Sequence, residues 1–105
     1  MPPSPRIRLE RKGGVAVLWI DNPPRNALRL SMISELAERI PELEKDDEVR
    51  AVVVTGEGSF SSGLDMEDWA ALPAKAAQEW ITRGQDAFWA LEHLTKPTVA
   101  AVAGP

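Results

Sequence analysis

The residues whose types and spacing could do chemistry crowd into one stretch, from Gly56 to Trp69. The β-branched run Ala51-Val52-Val53-Val54-Thr55 leads into Gly56-Glu57-Gly58, and glycines after a strand let backbone amides approach an anion. The spacing fails a nucleotide site. A dinucleotide fingerprint needs a third glycine where Ser61 stands, and a phosphate loop needs a Gly-Lys-Ser/Thr that is absent, so both glycines read as turn formers. Ser61 and Ser62 suggest nucleophiles, but a Gly-x-Ser-x-Gly elbow centred on Ser61 would need glycine where Ser59 stands. The sole histidine, His93, falls in the last turn of an expected helix, where a cation suits the dipole without any catalytic role. A Ser/His triad is therefore not expected. Asp65, Glu67 and Asp68 could hold a metal or move protons, yet no histidine or further carboxylate is placed to complete such a site. The simpler reading makes Asp65 the cap of a short helix with Glu67 and Asp68 in its first turn, and no metal is expected. The four tryptophans read as core or interface anchors; Trp69, directly after the glycine loop, is the exception worth testing.

Elements on either side must position this loop. Ile7 and Leu9 alternate with charged residues, and after Gly13-Gly14 comes the apolar run Val15 to Ile20, which together predict a hairpin. Asp21-Asn22-Pro23-Pro24-Arg25-Asn26 is dense in turn formers and predicts a loop. Ser31 is expected to cap a helix whose apolar face is Ile33, Leu36, Ala37, Ile40 and Leu43, with Glu35 in its first turn and a bend at Pro41. Ala51 to Thr55 has the continuous apolar character of a strand buried on both faces. A longer helix over Ala74 to Leu94, lined by Ala77, Trp80, Ile81, Gly84, Ala87, Phe88 and Leu91 and closed by Pro97, precedes a second buried-type strand, Thr98 to Val102. Strand, helix, strand, longer helix, strand predicts an α/β fold with right-handed crossovers.

The totals limit what such a fold can do. The chain of 105 residues allows one modest domain, and 44% hydrophobic with 27% charged residues is ordinary for a globular protein. Twelve basic against sixteen acidic side chains give a net charge of -4 with no basic stripe, so nucleic acid is not an expected partner. The absence of cysteine excludes disulfides, thiolate zinc ligands and thiol catalysis. Pro2-Pro3-Ser4-Pro5 followed by Arg6 and Arg8 gives no signal-peptide core, and no apolar run approaches membrane-spanning length; a cytoplasmic protein without a membrane partner is expected.

Three segments in order resemble the crotonase superfamily of enoyl-CoA hydratases and isomerases. They are Asn22-Pro23-Pro24-Arg25-Asn26-Ala27-Leu28; the strand Val49 to Thr55 running through Gly56-Glu57-Gly58 into Phe60-Ser61-Ser62-Gly63-Leu64-Asp65; and Lys96-Pro97-Thr98-Val99-Ala100-Ala101-Val102-Ala103-Gly104. The resemblance implies the N-terminal portion of a crotonase-like spiral of ββα repeats, and action on an acyl-CoA thioester. It makes the backbone N–H of Leu64, beside Gly63, one half of an oxyanion hole, since a thioester carbonyl gaining enolate charge needs preorganised donors. It places Ser62, with Leu64, Asp65 and Met66, against the substrate. Arg25, Asn26, Ala27 and Leu28 would face the nucleotide end of the coenzyme. Leu64 stands where many relatives have alanine, which implies a narrowed acyl mouth. The resemblance implies no cofactor beyond coenzyme A carried by the substrate, and a homo-oligomer, trimer or hexamer. It puts the second oxyanion donor and the proton-moving glutamates beyond Gly104, so the chain by itself is expected to be inactive. A non-catalytic coenzyme A-binding or assembly module of the same family is the alternative.

Overall fold

The computed structural model of the protein describes residues 5–104. The opening Pro2-Pro3-Ser4 therefore lies outside the described residues.

The hairpin forms as its alternation requires. β1 (Arg6–Lys12) pairs antiparallel with β2 (Val15–Asp21), Leu9 opposite Leu18, around a turn in which Gly13 has φ +59. After a loop comes α1 (Leu30–Lys45), then β3 (Ala51–Gly56), the short α2 (Met66–Ala70), α3 (Ala74–Glu92) and β4 (Thr98–Ala101). The four strands make one sheet in the order β1-β2-β3-β4, with β3 parallel to both neighbours. Parallel pairing needs a crossover; α1 supplies it between β2 and β3, α2 and α3 between β3 and β4. The core lies between the sheet and α1: Ala16, Leu18 and Ile20 of β2 and Val52 of β3 meet Met32, Leu36, Ile40 and Leu43. Of the apolar face expected for α1, Ile33, Leu36, Ile40 and Leu43 are buried, joined by Met32, whereas Ala37 is exposed.

Several expectations need correction. Ser31 does not cap α1. The helix starts at Leu30 with Arg29 at the cap position, and the Leu30 N–H donates to Asp68 Oδ2 at 2.7 Å, so a carboxylate from another element does the work. Glu35 consequently lies beyond the first turn, which holds no acidic residue. α1 runs through Pro41 to Lys45, so the proline does not end the helix, with the buried Ile40 and Leu43 on either side of it. At that end the Lys96 ammonium donates to the carbonyls of Leu43 and Asp46, groups a helix leaves without partners. α3 stops at Glu92, before Pro97, and buries only Gly84 and Ala87; Ile81 and Phe88 are nearly half exposed. β3 buries Val52 and leaves Val53 and Val54 half-buried, and β4, last in the sheet order of the described residues, is exposed along its length among them. None of the four tryptophans is fully buried; Trp89 is 61% exposed and stacks on His93. Among the described residues, no helix is long and apolar enough to cross a membrane.

Candidate active site

The glycine loop is built on Gly56, where β3 ends. A Cβ there would collide with the carbonyl oxygens of Ser59 and Phe60 and come within 2.8 Å of Asn26 Nδ2, so the loop can fold back over the strand end only because that position is glycine. Gly58, at φ +81 with open space around it, makes the reversal itself. The two glycines therefore serve different physical needs.

Asn26 locks the reversed loop in place. It is the one buried polar residue among those described, 2% exposed, and it sits at φ 56, a conformation asparagine tolerates. Its Nδ2 donates to Ser59 O at 2.7 Å and Glu57 O at 3.3 Å, and its Oδ1 accepts from the Asn22 N–H at 3.0 Å. The next residues continue the contact as a ladder. Ser62 N–H donates to Arg25 O at 2.9 Å, Leu28 N–H to Gly63 O at 2.8 Å, and Asp65 N–H to Leu28 O at 3.0 Å. Leu28 and Leu64 form an isolated parallel bridge, in which Leu28 bonds to the residues on either side of Leu64. The N–H of Leu64 thereby points away from Leu28, and among the described residues it has no protein partner. Gly63 adopts φ +98 with nothing within 4 Å of a would-be Cβ, so glycine is required here for its conformation, not for space.

Two hollows meet this loop. One, of about 570 Å³, is lined by Gly63, Ser61, Phe60 and Leu28 on one side and by Phe88, Leu91 and β4 on the other. The smaller, about 160 Å³, joins Leu64 and Trp69 to Ile33, Ile81 and Phe88. A separate recess of about 370 Å³ is lined by Pro24, Arg25, Ser59 and Ser62.

Two of the three acidic residues, Asp65 and Asp68, are structural anchors. Asp65 caps α2, its Oδ1 accepting from Glu67 N–H at 3.1 Å and Asp68 N–H at 3.2 Å, as its position in the sequence predicts. Asp68 reaches back to α1 and pairs with Arg29 Nη2 at 3.1 Å. The Leu30 N–H first, and the Arg29 guanidinium second, hold the Asp68 carboxyl below the usual carboxylate range against the opposing effect of burial. Asp68, hydrogen-bonded and charged, correspondingly raises the Arg29 pKa.

Of the residues singled out from sequence, Arg25, Asn26, Ala27, Leu28, Ser62, Gly63, Leu64 and Asp65 come together around these two loops, with Ala27 contributing its carbonyl to Asn22 Nδ2 at 2.8 Å. Met66 stands 73% exposed at the start of α2. The sequence reading passed over Ser61 once it failed as a nucleophile, and missed Asp68 as the cap of a distant helix. Phe88, expected on the apolar face of the long helix, lines both hollows, one beside Gly63 and the other beside Leu64.

A model of the enoyl-CoA hydratase/isomerase family matches residues 10–105. The chain belongs to the enoyl-CoA hydratase/isomerase family. It is 38% identical over 101 residues to a short-chain-enoyl-CoA hydratase of Clostridium acetobutylicum, covering 93% of this chain and 39% of that protein. It is 36% identical over 105 residues to 4-chlorobenzoyl coenzyme A dehalogenase-2 of an Arthrobacter species, covering 94% and 38% respectively. Among solved structures, DspI of Pseudomonas aeruginosa superposes with a TM-score of 0.89 at 31% identity, over 99% of this chain and 40% of that one. The chain thus spans less than two-fifths of the length of the curated relatives it matches, and its fold is the N-terminal portion of the family's α/β architecture.

Proposed function

We propose that the protein acts on an acyl-CoA thioester, and that the backbone N–H of Leu64 donates to the thioester oxygen as that oxygen gains enolate charge. The observation that carries this reading is the single amide left open between Ser62 and Asp65, aimed by the Leu28 pairing and bordered by apolar hollows. A preorganised donor beside an apolar, water-poor surface stabilises developing charge more than the same donor in water; one such donor is worth roughly 10²–10³ in turnover. The hollow beside Gly63 takes the acyl part. The recess at Arg25 and Ser62 takes the coenzyme, with the Arg25 guanidinium, exposed and without an ion-pair partner among the described residues, facing its phosphates. Asn26 and Leu28 serve the substrate indirectly, by holding the loop, because the Asn26 side chain is buried and hydrogen-bonded within the protein. In this reading a second donor and the proton-transfer groups come from outside the described residues, so a polypeptide of these 105 residues alone turns over little or no substrate.

The test is to assay the full-length protein with crotonyl-CoA for hydration, with a 3-enoyl-CoA for isomerisation, and to titrate it with a saturated acyl-CoA by calorimetry. Binding or turnover of an acyl-CoA is expected. A folded full-length protein that neither binds nor converts any acyl-CoA would overturn the proposal.

A further inference from the structure

We infer that Ser61 is a positioning residue, whose hydroxyl fixes the direction of the Leu64 amide by holding the peptide on the other side of Gly63. This inference rests on the function proposed above. Its geometry is a relay. Ser61 Oγ donates to the Asn26 carbonyl at 2.7 Å and accepts from the Gly63 N–H at 3.1 Å.

The relay matters because Gly63 is a weak point. At φ +98, with open space where a side chain would be, nothing intrinsic to glycine prevents its two flanking peptides from rotating. On the far side the Gly63 carbonyl accepts from Leu28 N–H, and in a trans peptide the following N–H points the opposite way, which directs the Leu64 donor. On the near side only the Ser61 hydroxyl holds the Gly63 N–H among the described residues. Its anchor is firm, since Asn26 is buried and its side chain hydrogen-bonds on both sides of the loop. Ser61 also removes the Gly63 N–H from competition, so one amide, that of Leu64, remains to meet the thioester oxygen. Ser61 is a half-buried residue lining the larger hollow, so the relay sits next to the acyl site.

The test compares Ser61→Ala and Ser61→Cys with the wild type in the full-length protein. Cysteine keeps the side-chain shape but offers a weaker donor and acceptor. A donor misplaced by about 1 Å can cost on the order of 10²-fold in turnover, so Ser61→Ala should lose about that much kcat on crotonyl-CoA with little change in KM, and Ser61→Cys should lose less. Amide hydrogen exchange gives a second readout: the Gly63 N–H should be protected in the wild type and exposed in Ser61→Ala. Unchanged kcat in Ser61→Ala would overturn the inference, as would kcat and KM shifting together with Cys no better than Ala. If the wild type neither binds nor converts any acyl-CoA, the function proposal fails; wherever there is no turnover to compare, exchange alone decides, and equal Gly63 protection in wild type and Ser61→Ala would then refute the relay.

Discussion

Replacing Gly56 by alanine separates steric from conformational reasoning. The backbone at Gly56 is not in the left-handed region, and Gly→Ala at such a position usually stabilises, by about 0.4–1 kcal/mol, because the unfolded chain loses freedom. The structure predicts the opposite sign. The new methyl would strike the Ser59 and Phe60 carbonyl oxygens and lie 2.8 Å from Asn26 Nδ2, groups that are backbone or buried and cannot swing aside. Forcing a methyl into such a space costs typically about 1–3 kcal/mol. Displacing Ser59 also breaks its 2.7 Å bond from Asn26 Nδ2, a further ~0.5–1.5 kcal/mol. We expect Gly56→Ala to destabilise the full-length protein by about 2–4 kcal/mol, read as a lower urea midpoint at unchanged slope. Acyl-CoA turnover should fall as well, because Ser59 and Phe60 lead directly into the Gly63 loop. Stability within about 0.5 kcal/mol of wild type, or above it, would refute the reasoning.

Gly63→Ala meets no neighbouring atom but must hold φ +98, so it should cost about 1–2 kcal/mol in thermal or chemical denaturation and reduce kcat by more than that strain alone accounts for. Asn26→Ala, which removes three side-chain hydrogen bonds and occupies φ 56 less readily, should destabilise by about 2–4 kcal/mol; Asn26→Gly relieves the backbone part, so the difference between the two measures it. Asp68→Ala should cost about 0.5–2 kcal/mol at neutral pH through loss of the α1 cap, measured by denaturant titration. Because the folded-state Asp68 carboxyl titrates below its unfolded value of about 3.9, its stabilisation is complete above that pH and fades as the pH falls through the folded value. The gap between wild type and Asp68→Ala should therefore narrow in acid below about pH 4, and a pH-independent gap would count against the ion-paired cap.

Much of this molecule is legible along the chain, because periodicity is a local property. The alternation at Ile7 and Leu9 and the apolar run Val15 to Ile20 are enough for the hairpin, the spacing of Ile33, Leu36, Ile40 and Leu43 for the buried face of α1, and Asp65 before Glu67 and Asp68 for the capped start of α2. The three segments that resemble crotonases mark the loop and its neighbours. What the sequence could not assign are the partners that arrive from a distance. Asp68 reads as one more first-turn acid until the fold brings it 2.7 Å from Leu30 N–H, and Ser61 reads as a failed nucleophile until Asn26 O lies within reach. Burial depends equally on what covers an element: Thr98 to Ala101 is as apolar as a buried strand, and among the described residues nothing covers it. The sequence by itself thus determined that a flexible glycine would precede Leu64. Only the tertiary structure decided that the Leu64 amide is left open, since that follows from Leu28, distant in the chain, bonding to the residues on either side of it and from Ser61 engaging the amide of Gly63.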